Sequence, residues 1–191
     1  MHYRLALPQT AAPLAEKVKE EMSIIRVGTT GTYSGKDFEV IGRLQYFFQD
    51  SYRNHWNVIF PDGQTAWLGE WAGNFSFFQE VNVSDTERFR NATSGKRIEL
   101  MQVNYDLEML DEHRLTFAEG EINDNHLKEK GFITLYLTHT SGAMALVNIL
   151  VNKKDTASPG VYTNGIEAFA GNYVELQNLN LQNTRNYDTW R

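Results

Sequence analysis

The sequence predicts an all-β, mainly antiparallel protein: two consecutive small β-meanders or half-barrels packed together, with a short N-terminal helix. Two observations lead to this prediction. From Ile24 onward, apolar and polar residues alternate with a period of two, which is typical of strands with one buried face. Runs rich in turn-forming residues, such as Pro61-Asp62-Gly63 and Asn164-Gly165, separate the alternating stretches as hairpin turns do.

The chain divides into five parts on this interpretation. Residues 1–23 are an extension in which Thr10 caps a short amphipathic helix with the apolar stripe Leu14, Val18 and Met22. That stripe fits docking on the chain itself or on a partner. The remaining parts are a first, aromatic-rich meander (24–83), a connector (84–96), a second meander (97–179) and a polar tail (180–191).

The strands follow from the alternation between the turn signals. In the first meander they are predicted over residues 38–48, 55–60, 64–70 and 75–81. In the second they are predicted over residues 97–105, 115–122, 131–139, 143–151 and 166–170, with a closing turn or strand over 171–176. Small antiparallel sheets with free edges usually close or pair, so the two meanders are expected to pack on each other.

The charge of the chain is concentrated in one segment. The net charge is −6, and residues 106–124 contain seven acids and one base, so the rest of the chain balances to zero. An acidic chain without a basic cluster is a poor binder of nucleic acid. The negative electrostatic potential of the acidic segment instead favours a basic protein partner. Absent cysteines exclude disulfides and thiol nucleophiles. No apolar run is long enough for a transmembrane helix and no secretory signal is recognisable, so a cytoplasmic location is expected.

Aromatic residues are the first candidates for a functional surface. Of the 24 aromatics, 13 lie between Tyr33 and Phe78. Strict alternation cannot turn all of them inward, and aromatic side chains supply large contact areas at interfaces. The partner-binding residues predicted from this cluster are Trp56, Trp67, Trp71 and Phe78.

Carboxylates are the second candidates. Glu70 ends a predicted strand, and Glu119 and Glu121 lie two residues apart, so they project to the same side of a regular strand. A close carboxylate pair, with His55 as a further titratable group, could carry out acid–base chemistry. The five histidines have no metal-ligand spacing and no cofactor fingerprint is present, so neither a metal site nor a cofactor is predicted.

Several runs in the chain match a known pattern: residues 25–31 (IRVGTTG), 38–43 (FEVIGR), 54–63 (NHWNVIFPDG) and 67–70 (WLGE), with looser matches at 118–121 (AEGE) and 171–174 (GNYV). Together they resemble the bacterial family called domain of unknown function 4178, over residues 24–179. The chain departs from the family pattern at 53–56, where His55 replaces an acid. The resemblance implies no enzymatic activity. It implies a cytoplasmic bacterial protein, often encoded near membrane-stress genes.

The sequence therefore favours a non-catalytic binding or adaptor module that uses the aromatic surface and the acidic segment 106–124 to hold a protein partner, basic or related to membrane stress. Two alternatives stay open. One is a small hydrolase or lyase that uses Glu70, Glu119 and Glu121. The other is a self-associating structural subunit with the aromatics between copies.

Overall fold

The computed structural model describes residues 22–83, 87–122, 131–150 and 165–186. Over these ranges the chain forms ten antiparallel strands, one short helix and one 3-10 turn. The strands are β1 (Thr30–Tyr33), β2 (Lys36–Phe48), β3 (Ser51–Ile59), β4 (Thr65–Trp71), β5 (Asn74–Val81), β6 (Arg97–Leu100), β7 (Val103–Gly120), β8 (Gly131–Thr138), β9 (Ala143–Leu150) and β10 (Ile166–Val174). Helix α1 is Glu87–Arg90, and the 3-10 turn is Leu176–Leu179.

The all-β, antiparallel prediction is confirmed, but the prediction of two separate meanders or half-barrels is wrong. β5 pairs with β10 and β2 pairs with β7, so the described strands β2–β5 and β7–β10 close into one eight-stranded barrel. β1 and β6 extend β2 and β7 beyond the closed part. The predicted N-terminal helix lies outside the described residues except for Met22, as does Asn164 of the predicted turn Asn164-Gly165.

Two glycines permit the closure between β2 and β7. Gly42 and Gly120 are direct partners across this seam. A Cβ on Gly42 would lie 2.3 Å from the carbonyl oxygen of Glu121, and a Cβ on Gly120 would lie 2.3 Å from that of Ile41. Gly120 also has a φ of +74°, which side-chain-bearing residues rarely adopt. The backbones can approach this closely only because both residues lack a side chain.

Apolar side chains pack on both sides of the barrel wall, because successive residues of a strand point to opposite faces. The interior holds one apolar cluster to which nearly every strand of the barrel contributes, including Leu44, Trp67, Phe78, Leu115 and Phe169. Neighbouring residues in sequence belong to other clusters outside the wall, as Leu68 and Phe77 do. Phe77 and Phe78, which cannot both face one core, are therefore each buried in a different one.

The outer face of the wall is covered in two places. One outer cluster on β2–β5 includes Trp56 and Leu68 and is covered by Ile25 and Leu179 from the segments before β1 and after β10. The other lies on β7–β10 and is covered by β6 and by Phe89 of α1. Because both faces of the strands are buried in these places, residues 53–58 of β3 are all buried.

The second half of the chain differs from the prediction at β6 and β7. Residues 97–105 were expected to form one strand, but Met101 and Gln102 adopt positive φ values of 52° and 63° and make a tight turn between β6 and β7. β7 then runs through the acidic segment to Gly120, where a strand was expected only from residue 115. The polar tail is partly ordered by β1, since Gln182 forms a β-bridge with Thr30.

Candidate functional site

Glu70 and Trp56, two of the residues singled out from the sequence, belong to one hydrogen-bonded network on the outer face of β3 and β4. Asn54 of β3 is the direct partner of Glu70 of β4. The Glu70 carboxylate accepts hydrogen bonds at Oε2 from Asn54 Nδ2 and from Trp56 Nε1, both at 3.0 Å. The remaining carboxylate oxygen, Oε1, accepts no hydrogen bond from the described residues.

Arg43 of β2 completes the network from the other side. Its Nε and Nη2 donate to Asn54 Oδ1 at 3.0 and 2.7 Å. The guanidinium lies over the Trp56 ring, 4.5 Å from its centroid, and Nη1 is 3.7 Å from Glu119 Oε1. Arg43 is thus a buried cation that fixes Asn54, and Asn54 in turn fixes the orientation of Glu70.

A groove of about 510 Å³ opens beside this network. Glu70 and Trp71 lie at its base, and Met22, Phe75 and Leu176 supply apolar walls. Met22 is 72% exposed. Trp71 is half-buried and its Nε1 donates to Ser51 Oγ at 2.8 Å, so the indole ring is held in place. The groove therefore combines an oriented carboxylate with apolar surface.

The surface next to the groove is acidic. A shallow cavity of about 330 Å³ is lined by Asp50, Asp111 and Glu112, with Arg114 as its one base. Phe47 belongs to this cavity, and its ring contacts that of Tyr52 in the groove at 5.4 Å between centroids. The acidic segment predicted from the sequence thus reaches the neighbourhood of Glu70.

The predicted aromatic surface is only partly a surface. Trp56 is 0% exposed, Trp67 is 7% exposed and Phe78 is 2% exposed. Trp67 and Phe78 face the barrel interior, and Trp56 lies under Arg43 and the covering segments. These three side chains are covered by other parts of the chain. Trp71 is the member of the set that reaches the groove.

The predicted acid–base residues have different partners in the structure. Glu119 pairs with Arg43, and the backbone carbonyl of Glu121 accepts a hydrogen bond from Asn57 Nδ2 at 2.9 Å. His55 faces the opposite side of the wall from Glu70's network, with its ring against Tyr46 and Phe78. Glu119 therefore reaches the Glu70 network through Arg43, whereas His55 lies among aromatic rings.

Sequence reasoning named His55 but missed the other polar residues inside the barrel. Arg53, His55, His113, Thr134 and Asn148 are all buried there. His113 Nδ1 lies 2.9 Å from Thr134 Oγ1, and that hydroxyl donates to Asn148 Oδ1 at 2.9 Å. The hydroxyl has one proton, so Nδ1 carries the proton of the neutral imidazole. The signal in the sequence was the set Arg53, His55 and Asn57, three polar residues at alternate positions of one strand.

The burial of His113 can be tested by the pH dependence of the stability of the protein. Burial, together with the charge of Arg53 and the nearness of His55, holds the pKa of His113 well below its usual range. Below pH 6.5 the unfolded chain therefore takes up a proton that the folded chain does not, and stability falls as pH falls. We expect this group to remove about 1.4 kcal/mol of unfolding free energy per pH unit below pH 6.5, until the folded pKa is reached.

Urea unfolding of the wild type and of His113→Phe between pH 7.5 and 5 checks this. The variant should lose less stability over that range than the wild type. His139→Gln is the control, since His139 lies in the exposed turn after β8, where its Nδ1 is 2.8 Å from Ser141 Oγ. Equal pH dependence in the wild type and His113→Phe would contradict the assignment.

The described parts of the chain contain neither a membrane-spanning helix nor a metal-binding cluster. No helix there is long and apolar enough to cross a membrane. No cluster of His, Asp or Glu side chains there could hold a metal ion. A further open cavity of about 500 Å³ lies between β1, β2 and residues 59–61, and its two carboxylates, Asp37 and Glu39, are exposed.

Comparison with known proteins gives one match. The model of a family described as a domain of unknown function (DUF4178) matches residues 26–175. This range includes the whole closed barrel, together with Glu70, Trp71 and the buried Arg43 network. No curated protein and no solved structure matches the chain.

Proposed function

The chain belongs to the DUF4178 family of unknown function, and we propose that this member is a non-catalytic binding module for a basic, amphipathic segment of a protein partner. The segment would lie in the groove beside Glu70 and Trp71. The observation that carries the proposal is the Glu70 carboxylate, which two donors orient through Oε2 while Oε1 remains available at the groove.

The oriented carboxylate favours a cation as its ligand. Hydrogen bonds between a lysine or arginine side chain and a carboxylate are stronger than those between neutral groups. Asn54 and Trp56 hold the acceptor in one position, so little conformational freedom is lost when a donor binds. A groove of about 510 Å³ has room for a few side chains of a peptide.

The walls of the groove favour apolar residues next to that cation. Trp71 and Phe75 supply aromatic surface, and Met22 supplies a flexible side chain that can adapt to different partners. Asp50, Asp111 and Glu112 nearby add negative potential, which attracts basic segments and disfavours acidic ones. A basic, amphipathic segment satisfies both the walls and the charge.

Fluorescence anisotropy tests the proposal with two short labelled peptides, one of lysine and leucine and a matched one with glutamate at each lysine position. The wild type should bind the lysine peptide and not the glutamate peptide. Glu70→Gln should weaken binding by about tenfold, because the amide keeps the bonds to Asn54 and Trp56 but loses the charge.

Glu99→Gln is the matched control, since Glu99 is an exposed acid on β6. It should leave the affinity unchanged. Equal affinity of the wild type for both peptides, or of Glu70→Gln and wild type for the lysine peptide, would contradict the proposal.

A further inference from the structure

The barrel interior contains a buried cation that does not line the groove, although it contacts Trp71, which does. Arg53 of β3 is 2% exposed. Its guanidinium lies between three aromatic rings, 4.1 Å from the centroid of Phe48, 4.2 Å from that of Trp71 and 5.1 Å from that of Tyr136. Ring faces attract the charge but accept no strong hydrogen bond.

Two nitrogens of this guanidinium form no hydrogen bond with the described residues. Arg53 Nε and Nη2 are buried and have no acceptor among the described residues. No carboxylate in the described ranges forms an ion pair with it. Glu70 also lines the cavity beside Arg53, but its carboxylate is engaged at Oε2 by Asn54 and Trp56.

A small cavity lies against Arg53. Its volume is about 20 Å³, and its lining includes Ser76, Tyr136 and Tyr173. The hydroxyls of Tyr173 and Tyr136 are 3.0 Å apart and share one hydrogen bond, which leaves one of their two protons for another acceptor. Two guanidinium nitrogens, the Tyr136 phenol and the Ser76 hydroxyl are therefore the candidate donors around one cavity.

We propose that this cavity binds a monovalent anion of about the size of chloride, held by Arg53 and by the tyrosine pair. A cavity needs about 10–15 Å³ to hold one water-sized species, so about 20 Å³ admits a single small ion and excludes phosphate or sulfate. Tyr173 is partly exposed and gives the ion a route from solvent.

The charge balance explains why an anion, rather than a neutral molecule, suits the site. Burial lowers the pKa of Arg53 to about 10, which still leaves the side chain protonated at neutral pH. A buried cation without a counter-charge destabilises the folded state. An anion removes that penalty and accepts the unused N–H bonds at the same time.

Thermal unfolding in sodium chloride, at an ionic strength held constant with sodium gluconate, tests the site. Each tenfold increase in chloride above its Kd should raise the Tm of the wild type by about 3–5 °C. Arg53→Met, which keeps the length of the side chain without the charge, should unfold at a Tm that does not depend on chloride. Arg97→Met, at an exposed arginine on β6, should keep the wild-type dependence.

A crystal of the wild type soaked in sodium bromide provides a readout that does not depend on any variant. We expect an anomalous peak within hydrogen-bond distance of Arg53. The proposal is wrong if no peak appears there, or if the wild type and Arg53→Met respond equally to chloride. Neither result would bear on peptide binding at Glu70, so the two proposals fail independently.

Discussion

Gly120→Ala is expected to lower the free energy of unfolding by about 3 kcal/mol or more, which is a large fraction of the stability of a domain. Two penalties add. The alanine would have to adopt a φ of +74°, and its Cβ would lie 2.3 Å from the carbonyl oxygen of Ile41 across the seam. Relief of that contact requires β2 and β7 to separate, which opens the barrel.

Gly63→Ala separates the two penalties. Gly63 has a similar φ of +80°, but a Cβ there would meet nothing within 4 Å. It should therefore show only the backbone cost, about 1–2 kcal/mol. Urea unfolding at a fixed pH compares the two variants. If Gly120→Ala and Gly63→Ala are equally stable, the barrel does not close between β2 and β7.

Trp56→Ala is expected to cost about 3–5 kcal/mol of unfolding free energy, as truncations of large buried aromatics do. The indole is fully buried, lies against the Arg43 guanidinium and donates to Glu70. Its loss would leave a cavity and remove one of the two bonds that orient the carboxylate. A tryptophan on a docking surface would instead change stability little.

Trp56→Phe distinguishes packing from hydrogen bonding. Phenylalanine keeps most of the apolar contact but cannot donate to Glu70, so we expect a smaller loss of stability and a measurable weakening of peptide binding. Thermal unfolding and anisotropy on the same samples check both. Wild-type stability of Trp56→Ala would contradict the burial of this residue.

Local patterns predicted the strands better than they predicted the closure. Alternation marked β2, β4 and β5, and Pro61-Asp62-Gly63 marked the turn before β4, because both signals depend on neighbouring residues. The turns at Gln49-Asp50 and Met101-Gln102 contain no glycine, although all four residues have positive φ. No turn-forming residue therefore indicates that β6 and β7 are separate strands.

Long-range pairing explains the remaining differences. The pairings of β2 with β7 and of β5 with β10 join residues far apart in the chain, and nothing local specifies them. The same holds for the segments that cover Trp56 from outside the wall. Without knowledge of that cover, an aromatic-rich meander looks like an exposed surface, and Trp56, Trp67 and Phe78 were predicted as one.

The candidate site was predictable only in part, because some of its features are local and others depend on long-range pairing. Glu70 and Trp71 end a strand beside a turn, so the sequence could place both near one end of the sheet. The orientation of Glu70 depends on Arg43 and Asn54, which come from two other strands. That arrangement requires the register of β2 with β3 and of β3 with β4.

Chemical-shift mapping of the lysine–leucine peptide on ¹⁵N-labelled protein tests the central claim most directly. The indole N–H groups of Trp56 and Trp71 report on the groove, since they donate to Glu70 and to Ser51. We expect both signals and the amides of Ala72 and Gly73 to shift with a single saturation curve, and the amide of Glu99 to stay in place. Shifts that cluster on β6, with the two indole signals unchanged, would contradict the assignment of the groove as the binding site.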